Sequence, residues 1–514
     1  MILYSKGGIK MKKYEASFES LYTHEYPDWF RDAKFGIWSH WGPQSVPMCG
    51  DWYARNMYIE NSEQYRYHCR HYGHPSVFGY KDICKLWKAE KFDPDRLMEL
   101  YYSAGARYFV AQATHHDNFF NYDSRVNPMN SVNVGPKKDI LAMWKSAADR
   151  FNMPFGVTEH LGASFWWWSV NKGCDREGPY AGVPYDGNDP EYRSFYHDNY
   201  EHLGDTTWKW LTENEGFMKY WSDSMNELID RFQPELLYSD SVLPFNYGHY
   251  QPGLEAVARL YNRSAEKHGS NQAVYTQKDR NPDIYRVGVL DIEKSQLPGI
   301  MEHPWQTDTC IGNWFYDAKQ DYKKPAHIIE MLIDIVSKNG TMLLNVLQKP
   351  DGTIDEWEEH ILKELGGWFE VCHEGIYGTR PFRVFSEGDT RATINGFEES
   401  KTSWSSSDYR FTTKNGCLYA FMMCAPESGV AVIKSLNESE RVKEVSLLGC
   451  GGLEFNQSFG VLSVRLPERL PTKYTNCLKI YFHRLKYPPQ SLPASRLPLS
   501  AELLFLEFSN STSL

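Results

Sequence analysis

The feature that most constrains this chain is a pattern repeated between residues about 30 and 347. An apolar run of strand length ends in polar residues, and a helix-like segment follows. AKFGIWSHWG ends at His40, ARYFVAQATHHDNF at His115, His116 and Asp117, and MPFGVTEHLG at Glu159 and His160. PELLYSDS ends at Asp240, NQAVYTQKD at Lys278, and GVLDIEKS at Glu293. Strands that alternate with helices build a parallel sheet. Polar residues gathered at the ends of several strands suit a (β/α)8 barrel, whose active site lies at that face. An open doubly wound sheet would bind at one switch point and often carry a glycine-rich turn. Neither GxGxxG nor GxxxxGK[ST] is present, so the pattern predicts a closed barrel.

The intervening segments carry helix signals. Asp93 and Pro94 mark the start of a helix in FDPDRLMELYYSAGA. GFMKYWSDSMNELIDRF has apolar residues at helical spacing and runs into the 236–240 strand. AHIIEMLIDIVSKNG ends on a glycine suited to a C-cap and leads into the strand TMLLNVL.

Beyond IYGTRPF the texture changes. The short runs RATINGF, CLYAFMM, GVAVIKSL, KEVSLLG, GVLSVRL and CLKIYFHRL are separated by Gly, Asn and Pro turns, the pattern of an antiparallel β-sandwich. The expected organisation is a barrel domain over 1–376, a sandwich over 377–485, and a Pro- and Ser-rich tail over 486–514 with no functional reading.

Charge and composition narrow the partners. With 55 basic and 66 acidic residues the net charge is −11, which argues against nucleic acid or an anionic membrane as the main partner. No apolar run is long enough to span a bilayer. The start lacks the continuous apolar core of a signal peptide, so the chain as written reads as cytoplasmic, a periplasmic or secreted location requiring a different native start. Ten scattered cysteines include no CxxC pair, which disfavours a zinc knuckle. An aromatic content of 15% suits carbohydrate, whose C–H faces lie on rings, and equally suits an aromatic core.

Two readings of the strand ends compete. Asp240 is either the cap of the following turn or a carboxylate facing a pocket. Glu293, ending a later strand, favours the second. Two carboxyls about 5–5.5 Å apart serve a retaining glycosidase as nucleophile and acid/base. His40, His115, His116 and His160 with Asp117 are also suitable metal ligands. The opening strand, however, carries a single His in WSHWG, where barrel metal sites commonly have HxH. Sugar hydroxyls use the same side chains with no metal, and that reading is preferred. A metallohydrolase would lose activity to a chelator; a non-catalytic glycan binder would bind without turnover.

Ordered blocks from about 27 to 382 then show a resemblance. WFRDAKFGIWSHWGPQSVP with DWYARNMY, RYFVAQATHHDNFFNYDS, PELLYSDS, PWQTDTCIGNWFY and DIVSKNGTMLLNVLQKPDGTI with LGGWFEVCHEGIYGTRPF resemble glycoside hydrolase family 29, the α-L-fucosidases. The resemblance implies a (β/α)8-like barrel with a C-terminal β-sandwich. It also implies a retaining exo-glycosidase that releases terminal α-L-fucose from fucosylated glycans without metal or organic cofactor. It places Asp240 on the nucleophile and Glu293 on the acid/base, with Glu302 as competitor. His40, His115 and His116 fall on hydroxyl binders, and Trp52 and Tyr238 on pocket aromatics. His160, Lys278 and Trp305 complete the expected substrate-binding set with Asp51, which stands where many members have Glu. Trp305 is followed by Gln306 where many members have Glu, so position 306 is not the acid. Asn118 replaces a usual Gly. Galactose-configured sugars remain an alternative substrate, because an apolar wall rejects an added hydroxyl by only about 10²-fold.

Overall fold

A computed structural model describes residues 13–200, 210–245, 248–392 and 402–483. Eight parallel strands close a barrel in chain order: β1 Phe35–Ser39, β2 Tyr108–Gln112, β3 Phe155–Glu159, β4 Leu236–Ser239, β5 Val274–Gln277, β6 Val289–Asp291, β7 Trp305–Cys310 and β8 Gly340–Asn345. Every residue of these strands is buried. Most of them therefore read as apolar runs rather than as an alternating pattern, with the buried but largely polar β7 as the exception. Register runs Ile37↔Phe109, Val110↔Gly156, Val157↔Leu237, Leu237↔Tyr275, Thr276↔Val289 and Leu290↔Trp305. Pairing of Phe35 with Met342 and Trp38 with Asn345 joins β1 to β8.

Side chains fill the barrel. Trp38, Tyr108, Val110, Leu236, Tyr238, Val274, Val289 and Leu343 form one buried cluster with Phe30 and Ala33. Space for Tyr108 comes from Gly36, where a Cβ would stand 2.3 Å from the ring; a side chain there would displace the ring.

Helix boundaries largely follow the local chemistry. Asp93 caps the helix Pro94–Ser103 by accepting from the Arg96 amide at 3.1 Å, with Pro94 in its first turn. Asn214 caps Glu215–Phe232, which Gln233 ends in a left-handed conformation before β4. The expectation for Gly340 is corrected: Asn339 takes the left-handed position at φ 74° after Pro325–Ser337, and Gly340 opens β8. Asn tolerates that conformation, and its amide donates to the Met301 carbonyl at 3.0 Å.

The chain forms two compact units. One comprises the residues up to Asp291 with Pro304–Ile328 and Thr341–Glu370; the other comprises Ile292–His303, Ile329–Gly340 and the residues from Val371 onward. Among the described residues of the second unit, nine antiparallel strands make two sheets: β9 Arg380–Glu387, β10 Tyr409–Lys414, β11 Cys417–Met422, β12 Val430–Ile433, β13 Val442–Leu447, β14 Gly451–Gly452, β15 Phe455–Ser458, β16 Val461–Arg465 and β17 Asn476–Phe482. Their orders are β14-β13-β17-β11-β10-β9 and β12-β16-β15. Phe411, Leu418, Ala420, Ile433, Leu462, Val464, Leu478 and Ile480 belong to the shared core. Most of RATINGF and the whole tail 486–514 lie outside the described residues. No helix among the described residues is long and apolar enough to cross a membrane.

A buried ion cluster pins this unit. Asp334 accepts from Arg410 Nε at 2.5 Å and from Lys338, and all three side chains are at most 3% exposed. Removing one partner of such a set leaves buried charge uncompensated. Asp334→Ala is therefore expected to lower stability by about 3–5 kcal/mol, read as a fall in the urea midpoint.

Candidate active site

The polar strand ends meet at the C-terminal mouth of the barrel. His40 follows β1, His115 and His116 lie just past β2, His160 follows β3, Asp240 follows β4 and Lys278 follows β5. The ring of His115 stands 5.0 Å from that of His40, 4.4 Å from that of His116 and 4.9 Å from that of His160.

Asp240 is held from several sides. Its amide donates to the Glu159 carbonyl at 3.0 Å, which fixes the backbone at the strand end. Oδ1 accepts from Lys278 Nζ at 2.6 Å and lies 3.1 Å from the Tyr238 hydroxyl. Oδ2 lies 3.2 Å from His116 Nε2 and 3.9 Å from His160 Nε2. Burial pushes this carboxyl upward, but Lys278, His160 and His116 together hold it well below the usual carboxylate range. The group is an ionised carboxylate with 16% of its side chain still exposed.

The histidines have a different character. Burial pushes His40 and His115 well below the usual imidazole range, and their histidine neighbours add to this. His160 is pushed down to about 3, chiefly by burial, although Asp240 opposes the shift. Neutral imidazoles offer one donor and one acceptor each, the combination that a hydroxyl needs. Both ring nitrogens of His40 are buried without a hydrogen-bond partner among the described residues. Its backbone is fixed by donation to Asn345 Oδ1 at 3.0 Å. His115 Nδ1 meets the Gln44 amide at 2.8 Å, and both nitrogens of His116 face acceptors: the His160 carbonyl at 2.6 Å and Asp240. Ring nitrogens of His40, His115 and His160 lie within 4.8 Å of one another, so these three are the residues that would hold a metal ion.

Aromatic side chains surround this polar floor. Trp52, in a left-handed conformation at φ 59°, packs 4.6 Å from Trp167 and 6.0 Å from Trp210. Trp167 and Trp210 stand 4.8 and 4.7 Å from His116, and Trp210 Nε1 donates to the Asp240 carbonyl at 3.2 Å. Arg55 fastens the WWW segment: its guanidinium lies 3.9 Å over Trp166 and donates to the carbonyls of Trp166 and Trp167.

Several expectations change. Trp305 opens β7 at the opposite end of the strand from the mouth and is fully buried. Gln306 points inward to Asp291 and Tyr108, so alternation turns Trp305 outward. The aromatics near His40 are instead Trp314 and Phe315, at 5.7 and 4.7 Å. Both lie in the quoted block PWQTDTCIGNWFY, and the aromatic pair after its glycine was the available signal. Asp117 does not join the histidines; it accepts from the Tyr80 hydroxyl at 2.5 Å and the Phe119 amide at 3.0 Å, securing the turn. Glu159 is likewise structural, accepting from Leu161, Gly162 and Trp221. Asp51 is half-buried in a turn tied to the 313–318 loop by Gly50 N–Tyr316 O at 3.4 Å. Tyr238 is fully buried beneath Asp240. Glu293 is half-buried in a turn two residues past β6, and Glu302 is exposed.

A barrel mouth that presents an ionised carboxylate, neutral imidazoles and indole faces defines a hydrolase suited to sugars. The family profile described as alpha-L-fucosidase matches residues 2–374, and that described as the alpha-L-fucosidase C-terminal domain matches 403–481. The chain belongs to the α-L-fucosidase family of glycoside hydrolases. It is 28% identical to the tissue alpha-L-fucosidase of Rattus norvegicus over 90% of this chain and 91% of the relative. It is 26% identical to the alpha-L-fucosidase of Branchiostoma floridae over 85% of this chain and 87% of the relative. Among solved structures, the alpha-fucosidase of Thermotoga maritima in complex with fucose superposes with a TM-score of 0.71 at 25% identity. That match covers 91% of this chain and all of the other.

Proposed function

We propose that this enzyme releases terminal α-L-fucose from fucosylated glycans with net retention, Asp240 acting as nucleophile and Glu293 as acid/base. The observation that carries the reading is the setting of Asp240: a carboxylate kept ionised at the barrel mouth by Lys278 and His116, with neutral histidines beside it. Attack by Asp240 on the anomeric carbon breaks the glycosidic bond while Glu293 protonates the departing oxygen. Glu293 then removes a proton from water, which releases the sugar and restores Asp240. Support for Glu293 comes from the family resemblance and from its place just past β6.

His40, His115 and His116 are assigned to ring hydroxyls, with His160 beside Asp240. The partly exposed indoles of Trp52 and Trp210, backed by buried Trp167, offer the apolar contact that a 6-deoxy sugar needs for its methyl group. Asp51 is assigned to a hydroxyl on the resemblance alone. The Thermotoga maritima relative has been solved with fucose and with a mechanism-based inhibitor, which supports fucose as the sugar.

The test is stereochemical. Hydrolysis of an aryl α-L-fucoside followed by proton NMR is expected to show α-L-fucose first, with the β anomer growing later by mutarotation. Initial β-L-fucose would mean inversion and would remove the nucleophile role from Asp240.

A further inference from the structure

Beneath Asp240 lies a second acidic group that the mechanism above does not use. β6 ends at Asp291, paired in register with Gln306 of β7, and Asp308 stands two residues further on the same face. Asp291 and Asp308 are 1% and 0% exposed. Gln306 Nε2 donates to Asp291 Oδ2 at 2.7 Å. Asp308 Oδ2 accepts from the Tyr238 hydroxyl at 3.0 Å and lies 3.8 Å from Lys278 Nζ. The remaining oxygens, Asp291 Oδ1 and Asp308 Oδ1, are buried without a donor among the described residues.

Two buried acceptors on neighbouring carboxyls call for a shared proton, which removes one charge and supplies the missing donor. Burial, reinforced by the charge and hydrogen bonding of Asp308, pushes Asp291 well above the usual carboxylate range. Asp291 is therefore the member that holds the proton, while Asp308 is the one that faces the Lys278 ammonium and the Tyr238 hydroxyl.

Asp308 and Asp240 consequently face the same two donors. The Tyr238 hydroxyl oxygen lies 3.1 Å from Asp240 Oδ1 and 3.0 Å from Asp308 Oδ2, and it has one proton to give. Lys278 Nζ stands 2.6 Å from one and 3.8 Å from the other. When Asp240 becomes an ester its charge is consumed, and a largely buried ammonium beside it loses a counter-ion.

We propose that Asp308 is a positioning residue that holds Tyr238 and Lys278 through the reaction, supplying a fixed anion when Asp240 is esterified. This rests on the assignment of Asp240 as nucleophile. No bond to Asp308 or Asp291 forms or breaks. Among the described residues, the ionisable groups facing the pair include Tyr238 and Asp240 from β4 and its end, Lys278 from the end of β5, and Tyr108 of β2 through Gln306.

The decisive comparison is Asp308→Asn against Asp291→Asn, assayed on an aryl α-L-fucoside. Asp308→Asn is expected to lower kcat by about 10²-fold with KM little changed. Its acid limb of kcat/KM should move to lower pH, because an anion beside Asp240 is gone. Asp291→Asn replaces a neutral acid by a neutral amide that can donate to Asp308, and should lose far less. In a double-mutant cycle, Tyr238→Phe and Asp308→Asn should cost less together than the product of their separate losses. Unchanged kcat and pH profile in Asp308→Asn, with only a lower Tm, would overturn the proposal, as would equal losses in the two Asn variants. If Asp308→Asn does not fold, the Asp291→Asn profile still decides, since a large loss there contradicts a neutral Asp291. Azide rescue of Asp240→Gly reads the nucleophile separately, so either assignment can fail alone.

Discussion

Asp240→Gly is expected to lower turnover of an aryl α-L-fucoside by about 10⁴-fold, and added azide is expected to restore it with β-L-fucosyl azide as product. The size follows from what remains. The histidines assigned to hydroxyls and the proposed acid Glu293 are untouched, so on this assignment the sugar still binds and the leaving group can still be protonated, but nothing attacks the anomeric carbon. Removing the carboxylate opens a space lined by Lys278 and His116, which lie 2.6 and 3.2 Å from its oxygens in the intact enzyme. A small anion fits that charge pattern and attacks from the vacated side, giving one inversion in place of two. Near-normal activity in the glycine variant would sink the assignment. The same surroundings set the sign of the pH effect. Because the folded Asp240 titrates below the ordinary carboxylate range, its ionised form persists on acidification. The acid limb of kcat/KM should fall below that range. Its contribution to stability is present above the unfolded value and lost as pH drops through the folded one.

Glu293→Ala is expected to cost about 10²–10⁴-fold on a natural fucosyl linkage and much less on an aryl fucoside with a good leaving group. A departing alkoxide needs its proton in the transition state, whereas an activated phenolate leaves without one. Glu302→Ala should behave like the parent enzyme on both substrates. Equal losses for Glu293→Ala on the two substrates would transfer the role to Glu302. The contrast between substrates is what separates an acid from a residue that merely supports the turn after β6.

Much of this arrangement was legible in the sequence because barrel chemistry is written at strand ends. His40, His160 and Asp240 are the first residues after three buried strands, and a polar residue in that place is conspicuous against an apolar run. Face is harder to read than position. In WQTDTC every residue is buried, so no pattern of exposure distinguishes Gln306 and Asp308, which point inward, from Trp305, which points away. The aromatic expected at Trp305 is found at Trp314 and Phe315 for that reason. Asp308 carries no sequence signal, because its partners are Tyr238, Lys278 and Asp291, three residues from three other strand regions. Asp117 misled in the opposite direction, since adjacency to two histidines says nothing about the turn that carries it back to Tyr80. Strands β9 and β10 carry a weak sequence signal: Arg380–Glu387 is only partly buried along most of its length, and the apolar residues of YRFTTK are few.

The seam between β1 and β8 gives the enzyme a built-in order of events during synthesis. His40 takes its backbone anchor from Asn345, 305 residues later in the chain, and Trp38 pairs with the same residue. Such long-range pairing is slow, because the intervening chain must be ordered before the contact is made. A nascent chain that has already made Asp240, His115 and His116 still lacks the strand that sets His40. Activity should therefore appear late in refolding, after most helix has formed, and its recovery serves as a clock for closure of the barrel.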